Sequence, residues 1–405
     1  MSVATHSEPR DFHSNAPEID YEDFSHIDVE GLTHELNLLA KEIRESVGQE
    51  DIDHLKMVER WGKICTTLGY ATAWMAPNIV SAMLISQGQL TRWLMTHHIS
   101  HRGYDKVPGI PAKYTSKYFA RGKRRKFDWM DWILPEAWHA EHDILHHYWL
   151  GEDEDPDLLE RNTQWMRDQE LPRWQKQALI ALLSVTWKWL YYSPSTMRAL
   201  HAAEAKKAGL PEPEEAELLS PFNARGRDLW KRALLPNIGM RFVAVPAAFL
   251  PLGPVASFNV WANTVMADII GNLHAFIVVG PNHSADDLYR FDTPVRNRRE
   301  FFLRQIIGSA NYRTGSDLVD WPQMWLNYQI EHHIWPDMTM LQYRKAQPRV
   351  KALCEKYGVP YVEENVFKRA KRMYQVIVGD KSMRWAKTYE ANQEGVQRPW
   401  MAAAE

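Results

Sequence analysis

Polar and apolar positions divide this chain into a polar leader, a body that carries apolar runs, and a polar tail. Residues 1–56 are rich in Glu, Asp, His and Ser without a hydrophobic run, so neither a cleaved signal sequence nor a haem domain is expected there, and residues 367–405 are likewise polar. In the body, residues 57–366, four stretches are apolar save for scattered polar positions: Ile64–Ser86, Ala178–Tyr192, Ile238–Val260 and Trp261–Gly280. None is an unbroken run of about 20 apolar residues. Pro77, Pro246, Pro251 and Pro254 are expected to break or kink helices. The pattern predicts a mostly α-helical integral membrane bundle of about four spans. The first span is bent or re-entrant around Pro77, which begins a second helix from Asn78 to about His101. Polar residues within the spans are expected to face the bundle, because lipid offers them no partner.

Composition pulls the other way at first. A mean hydropathy of −0.46 with 24% charged residues resembles a soluble enzyme. The average misleads, because the polarity is concentrated outside the apolar runs. The 18 tryptophans suit interfacial belts, notably Trp129, Trp132, Trp138, Trp187 and Trp189. The basic run Arg121 to Lys126 puts its loop in the cytosol by the positive-inside tendency. A net charge of −3 gives no case for nucleic-acid binding.

Histidine carries the chemistry. Of 17 histidines, seven crowd into His97-His98-Ile99-Ser100-His101 and His139-Ala140-Glu141-His142-Asp143-Ile144-Leu145-His146-His147, and His332-His333 form a further doublet. Neutral imidazole is polar to bury and its cation repels neighbours, so such clustering points to a metal. Only two cysteines are present, Cys65 and Cys354, so the ligands must be nitrogen. On a helix His97 and His101, like His142 and His146, lie four apart and share a face, able to point at one centre. The number of rings exceeds what one ion binds, which favours two ions. A zinc or purely structural site is the bland alternative. His54 and His201, and His6, His13, His26 and His34 in the leader, are given no role.

These clusters resemble the three histidine boxes of the membrane fatty acid desaturase and hydroxylase superfamily. His97 to His101 matches the first box, His142, His146 and His147 the second, and Gln329, His332 and His333 the third, in the variant where glutamine replaces the leading histidine. The phrase Asn327-Tyr328-Gln329-Ile330-Glu331-His332-His333 is the most specific, and the similarity spans roughly residues 60 to 365. The resemblance implies a di-iron centre that activates O2 and removes two hydrogens from an acyl chain. It implies His97, His101, His142, His146, His147, His283, His332 and His333 as iron ligands, with His98, His139, His274 and Gln329 as further candidates for an open position. His283 is preferred over His274 for the ligand that follows the last span. Asp143, Glu331 and Asn327 are expected to orient ligand rings, with Glu141 divided between that role and solvent, whereas Glu152 to Asp157 reads as a solvated loop broken by Pro156.

All boxes must meet on the cytosolic side, in a helical cap. No dinucleotide, Walker or haem-binding string is present, so electrons are expected from a separate ferredoxin or cytochrome b5-type donor with its reductase, with Lys123, Arg124 and Arg125 as its contact. The expected substrate is an acyl lipid or acyl thioester within membrane lipid. A lipid or hydrocarbon hydroxylase with the same centre and a non-catalytic metal-binding membrane protein are the alternatives. The glutamine-led third box favours desaturation over hydroxylation, and helix-spaced boxes disfavour storage.

Overall fold

A computed structural model describes residues 20–211 and 220–388 of the chain. It is mostly helical. In chain order the helices used below are α1 (Val29–Glu45), α2 (Gln49–Ala73), α3 (Ile79–Ser100), α4 (residues 135–149), α5 (residues 173–208), α6 (residues 224–247), α7 (Pro254–Val279), α8 (Arg298–Ile307), α9 (Gln329–Ile334), α10 (Met340–Tyr357) and α11 (Val366–Val378). Five short strands, β1 (Tyr21–Asp23), β2 (Tyr289–Arg290), β3 (Ala310–Asn311), β4 (Val362–Glu363) and β5 (Arg384–Lys387), form two parallel sheets, ordered β1-β5-β2 and β3-β4.

The prolines act differently from expectation. Pro194, Pro236 and Pro246 each follow a π-helical turn, at residues 188–192, 230–234 and 239–244. A proline ring collides with the carbonyl four residues earlier. In all three cases that carbonyl lies in the widened turn, so the helix continues instead of breaking. The reversal falls at Gly253, where φ is +108°, a value that favours glycine, and Pro254 opens α7 at a position where its missing N–H costs nothing. The boundary expected between Val260 and Trp261 is therefore absent, and α7 runs through it. Ile64–Ser86 does divide near Pro77, into α2 and α3, with the Asn78 side chain accepting from Ser81 N–H at 2.8 Å to cap α3.

Two stretches are long and apolar enough to cross a membrane, Ala224–Leu252 and Pro254–Asn282. Several polar residues inside them turn inward. The Asn263 amide donates to the carbonyls of Ala73 (2.8 Å) and Ala76 (2.9 Å) and accepts from Asn78 N–H (2.9 Å), clipping the α2–α3 turn to α7. Arg241 meets Asp268 at 3.0 Å, and outside these stretches Lys188 of α5 meets Asp131 at 2.9 Å, all four buried.

Leader and tail are less separate than their polarity suggested. α1 buries Leu32, Leu36, Leu39, Ala40 and Ile43 and packs on α10, and α2 begins before residue 56. Beyond residue 366, α11 packs against α7 and β5 joins β1 to β2. Residues 1–19, with His6 and His13, and residues 389–405 lie outside the described residues.

α2 and α3 approach closely through glycine. A Cβ on Gly88 would lie 2.1 Å from Thr66 Oγ1 and 2.9 Å from the Gly62 carbonyl oxygen. Gly88→Val is expected to destabilise the protein by about 1–3 kcal/mol through overpacking, read as a lower melting temperature in detergent. An unchanged melting temperature would show that the helices can part without cost.

Candidate metal centre

The first box ends α3, and its register sets what each ring does. His97 and His101 lie one turn apart, and with His142, His147 and His332 they form a five-ring set whose facing nitrogens all lie within 4.8 Å of one another. His98, on the next face, turns to the Met324 carbonyl at 3.2 Å and stays outside the set. The second box is not on a regular α-helix. Residues 139–146 form a π-helical turn, and while His142 belongs to the five-ring set, its nitrogen also lies within 4.8 Å of His146 and Asp157, as the shared face of the pair predicts. His146 joins His283 and His333 in a three-ring set with the same 4.8 Å limit. α9 contributes His332 to one set and His333 to the other. The two sets touch through His147, whose ring stacks on His333 at 4.3 Å between centroids and meets His332 at 4.7 Å.

The eight histidines singled out as ligands thus lie together, all buried. His274 does not. It is half-buried and its Nε2 meets the Pro322 carbonyl at 2.6 Å. His139 stands at the edge, with Nδ1 2.6 Å from Asp143. Gln329 borders the three-ring set, its amide nitrogen 2.8 Å from His283 Nε2 and its oxygen accepting from the Asn282 amide at 3.1 Å.

The rings are held by partners that leave one nitrogen facing inward. Nδ1–H of His146 donates to Asp155 (2.9 Å) and that of His333 to Gln305 Oε1 (2.8 Å). Tyr343 donates to the Pro336 carbonyl and so accepts from His332 Nδ1–H at 3.1 Å. Such contacts fix the tautomer and aim the other lone pair. Asp143 lies 3.5 Å from His101 Nδ1. Glu331 and Asn327 are placed differently. Glu331 accepts from Asn311 and Tyr361 at 2.8 Å each, and burial pushes its carboxyl up to about 7. Asn327 donates to Asp320 at 2.7 Å.

The acidic run after the second box is the main departure. Glu152 and Asp155 are buried, and Asp157 lies within 4.8 Å of the His142 and His146 nitrogens. Its proximity to a histidine box in sequence was the available signal. Burial, then Asp157 and Asp155, raise the buried Glu141 well above the carboxylate range, while burial raises Asp157 to about 6. Gln305 and Tyr343 had no such signal.

A metal fits these residues. Burial, then the neighbouring rings, hold His142, His147, His332 and His333 well below the usual imidazole range, so they are neutral with available lone pairs. Burial opposes a charge on His146, but Asp155 and Asp157 more than offset it and raise its pKa. His101 Nε2, His333 Nε2 and both nitrogens of His147 are buried with no hydrogen-bond partner. Each such atom costs about 1–3 kcal/mol if left unsatisfied. His97 Nε2 faces the Nε2 atoms of His142 and His332 at 3.0 Å each, more lone pairs than a shared proton can satisfy.

An apolar pocket lies beside the cluster. His97, His142, His146, His283 and Gln329 form part of its wall, and Trp93, Leu94, Leu183, Trp187, Phe276 and Met373 form much of the rest. The basic run is partly engaged at home. Arg124 binds Asp128 through two 2.8 Å bonds and Arg125 donates to the Arg232 carbonyl at 2.8 Å, while Lys123 is exposed.

Comparison with known proteins agrees with this chemistry. The family model described as fatty acid desaturase matches residues 71–365. The chain is 24% identical over 372 residues to the NADPH-dependent stearoyl-CoA 9-desaturase of Mycobacterium tuberculosis, covering 84% of this chain and 78% of that protein. It is 34% identical over 96 residues to a Delta(8)-fatty-acid desaturase of Euglena gracilis, covering 24% of this chain and 22% of that protein. No solved structure matches.

Proposed function

The chain belongs to the fatty acid desaturase family, and from that premise we propose that it is a membrane-bound, O2-dependent oxidoreductase that introduces a C=C bond into a fatty acyl chain carried on a lipid or thioester. The observation that carries this reading is the apolar pocket walled in part by four of the buried histidines, which we take as the acyl tunnel. His97, His101, His142, His147 and His332 would hold one iron, and His146, His283 and His333 the other, with Gln329 beside the second. When bound, the two ions would supply the oxygen activation and hydrogen abstraction that an unactivated methylene requires.

The protein's own contribution is placement. Trp93, Leu183, Trp187 and Phe276 confine a saturated chain by shape and exclude water, since such a chain offers no polar handle. The tunnel brings its carbons against the rings at the wall, and Asp155, Gln305 and Tyr343 hold three of those rings in orientation. Removing two hydrogens while O2 becomes two waters needs two electrons and two protons from outside the substrate. A separate carrier is proposed to supply the electrons.

The membrane reading rests on exposed apolar side chains at the turn of each hairpin: Met75, Ile79 and Val80 between α2 and α3, and Leu250, Leu252 and Val255 between α6 and α7. Asn263 of α7 ties the second hairpin to the turn of the first. Both hairpins, four spans, would enter the bilayer from the side that holds the boxes, and the Arg121–Lys126 loop favours the cytosol for that side. This grouping replaces the Ala178–Tyr192 stretch by a separate α2 and α3.

Expression in a host lacking desaturases, followed by lipid profiling, tests the function. A new monounsaturated acyl species supports it, whereas a hydroxylated product or an unchanged profile would sink it. Narrowing the tunnel by Leu183→Trp is expected to lower product on the order of 100-fold with iron content intact. Full activity in that variant would remove the tunnel from the argument.

A further inference from the structure

Two openings reach the histidine cluster, and they touch different rings. The apolar tunnel is walled by His97, His142, His146 and His283. A second cleft of about 630 Å³ reaches His101, His139, His147 and His333. No histidine is common to both. Around the second cleft stand Arg44, Arg102, Lys106 and Arg298, of which Arg102, Lys106 and Arg298 are exposed. Only two carboxylates, Asp143 and Asp337, face these four cations. Asp337 binds Arg44 at 2.8 Å and also Lys106, and Asp143 is engaged by His139, His101 and Ser100. The outward face of the cleft is therefore cationic.

We infer that this cleft is the docking site of an acidic one-electron carrier protein, which delivers electrons to the centre across the His101, His147 and His333 rings. The inference rests on the desaturase reading. Each turnover needs two electrons beyond those released by the substrate, so a one-electron carrier must bind, give one electron, leave oxidised and be replaced by a second reduced copy. The two protons come from solvent, which reaches the same cleft. Two encounters per turnover require fast, weak association. Exposed guanidinium and ammonium groups provide that by steering, where a large apolar interface would hold the spent carrier too long. The division of openings also separates the reactants: the acyl chain occupies one face of the cluster while the carrier approaches the other. The Arg121–Lys126 run offers less, because none of its residues lines the cleft that reaches the rings.

The test uses iron-loaded enzyme in nanodiscs with an acidic [2Fe–2S] ferredoxin as probe. Arg102→Glu/Arg298→Glu is expected to weaken ferredoxin binding roughly 10–100-fold and to flatten its salt dependence. Iron content and single-turnover product after chemical reduction should stay at the wild-type level. Arg298→Glu alone, at the exposed first turn of α8, should act in the same direction, and Lys123→Glu/Lys126→Glu should have little effect. Unchanged binding in the cleft variants, or loss confined to the Lys123/Lys126 pair, would overturn the assignment. So would a raised KM for acyl-CoA with ferredoxin binding intact, which would make the cleft a seat for substrate phosphates. Chemically reduced wild-type enzyme that forms no product would remove the desaturase reading and the inference together, whereas product formation with unaffected docking removes the inference alone.

Discussion

Replacing His147 by alanine is expected to abolish desaturation and to strip iron from the protein, which as wild type should hold about two iron atoms per chain and little zinc. The expectation follows from where the ring sits. His147 is buried, both its nitrogens lack hydrogen-bond partners, and it bridges the two sets by stacking on His333 while facing His101 and His332. Its loss would open a void at the junction and remove one of the proposed ligands. His201→Ala is the control, because that ring pairs with Asp228 at 3.0 Å away from the cluster and its loss should leave activity near wild type. Elemental analysis by mass spectrometry with a product assay reads both effects. One zinc and no iron in the wild type, or full activity in His147→Ala, would require the centre to be reassigned.

Asp155→Ala should cost about 10–100-fold in iron affinity or turnover, the usual penalty for losing the partner that orients a ligand ring. Asp155 accepts from His146 Nδ1–H and from the backbone N–H groups of Gly151 and Asp157, so it fixes the ring and shapes its own loop. Asp155→Asn separates these roles. Its amide oxygen can still accept a hydrogen bond, but the charge that favours the His146 N–H is gone, so it should retain more iron than the alanine variant and less than wild type. Iron retention during dialysis against a chelator is the discriminating measurement. Equal retention in all three proteins would return the acidic run to an ordinary loop.

Much of the candidate site was legible because ligand histidines must cluster, and clustering survives in one dimension. His97 with His101, the His146-His147 doublet and the His332-His333 doublet announce nitrogen ligation from their types and spacing alone. The break at Pro77 was equally readable, since proline constrains its own φ and its predecessor.

Other features depended on long-range geometry. Which of the second-box rings joined which set was decided by a π-helical turn, and a four-residue spacing does not distinguish π from α. Pro246 continued its helix because a widened turn took up the ring, a local adjustment without a sequence mark. Gln305, Asp155 and Tyr343 became partners of histidines 28, 9 and 11 residues away through chain returns that hydropathy does not encode. The sequence by itself determined the kind of site, a histidine cluster able to hold metal within a helical, partly apolar body, because residue type and local period carry that information. Only the tertiary structure decided the five-and-three grouping of the rings, the tunnel on one side and the cationic cleft on the other, because each is made by surfaces from separate helices that acquire meaning only once they are packed together.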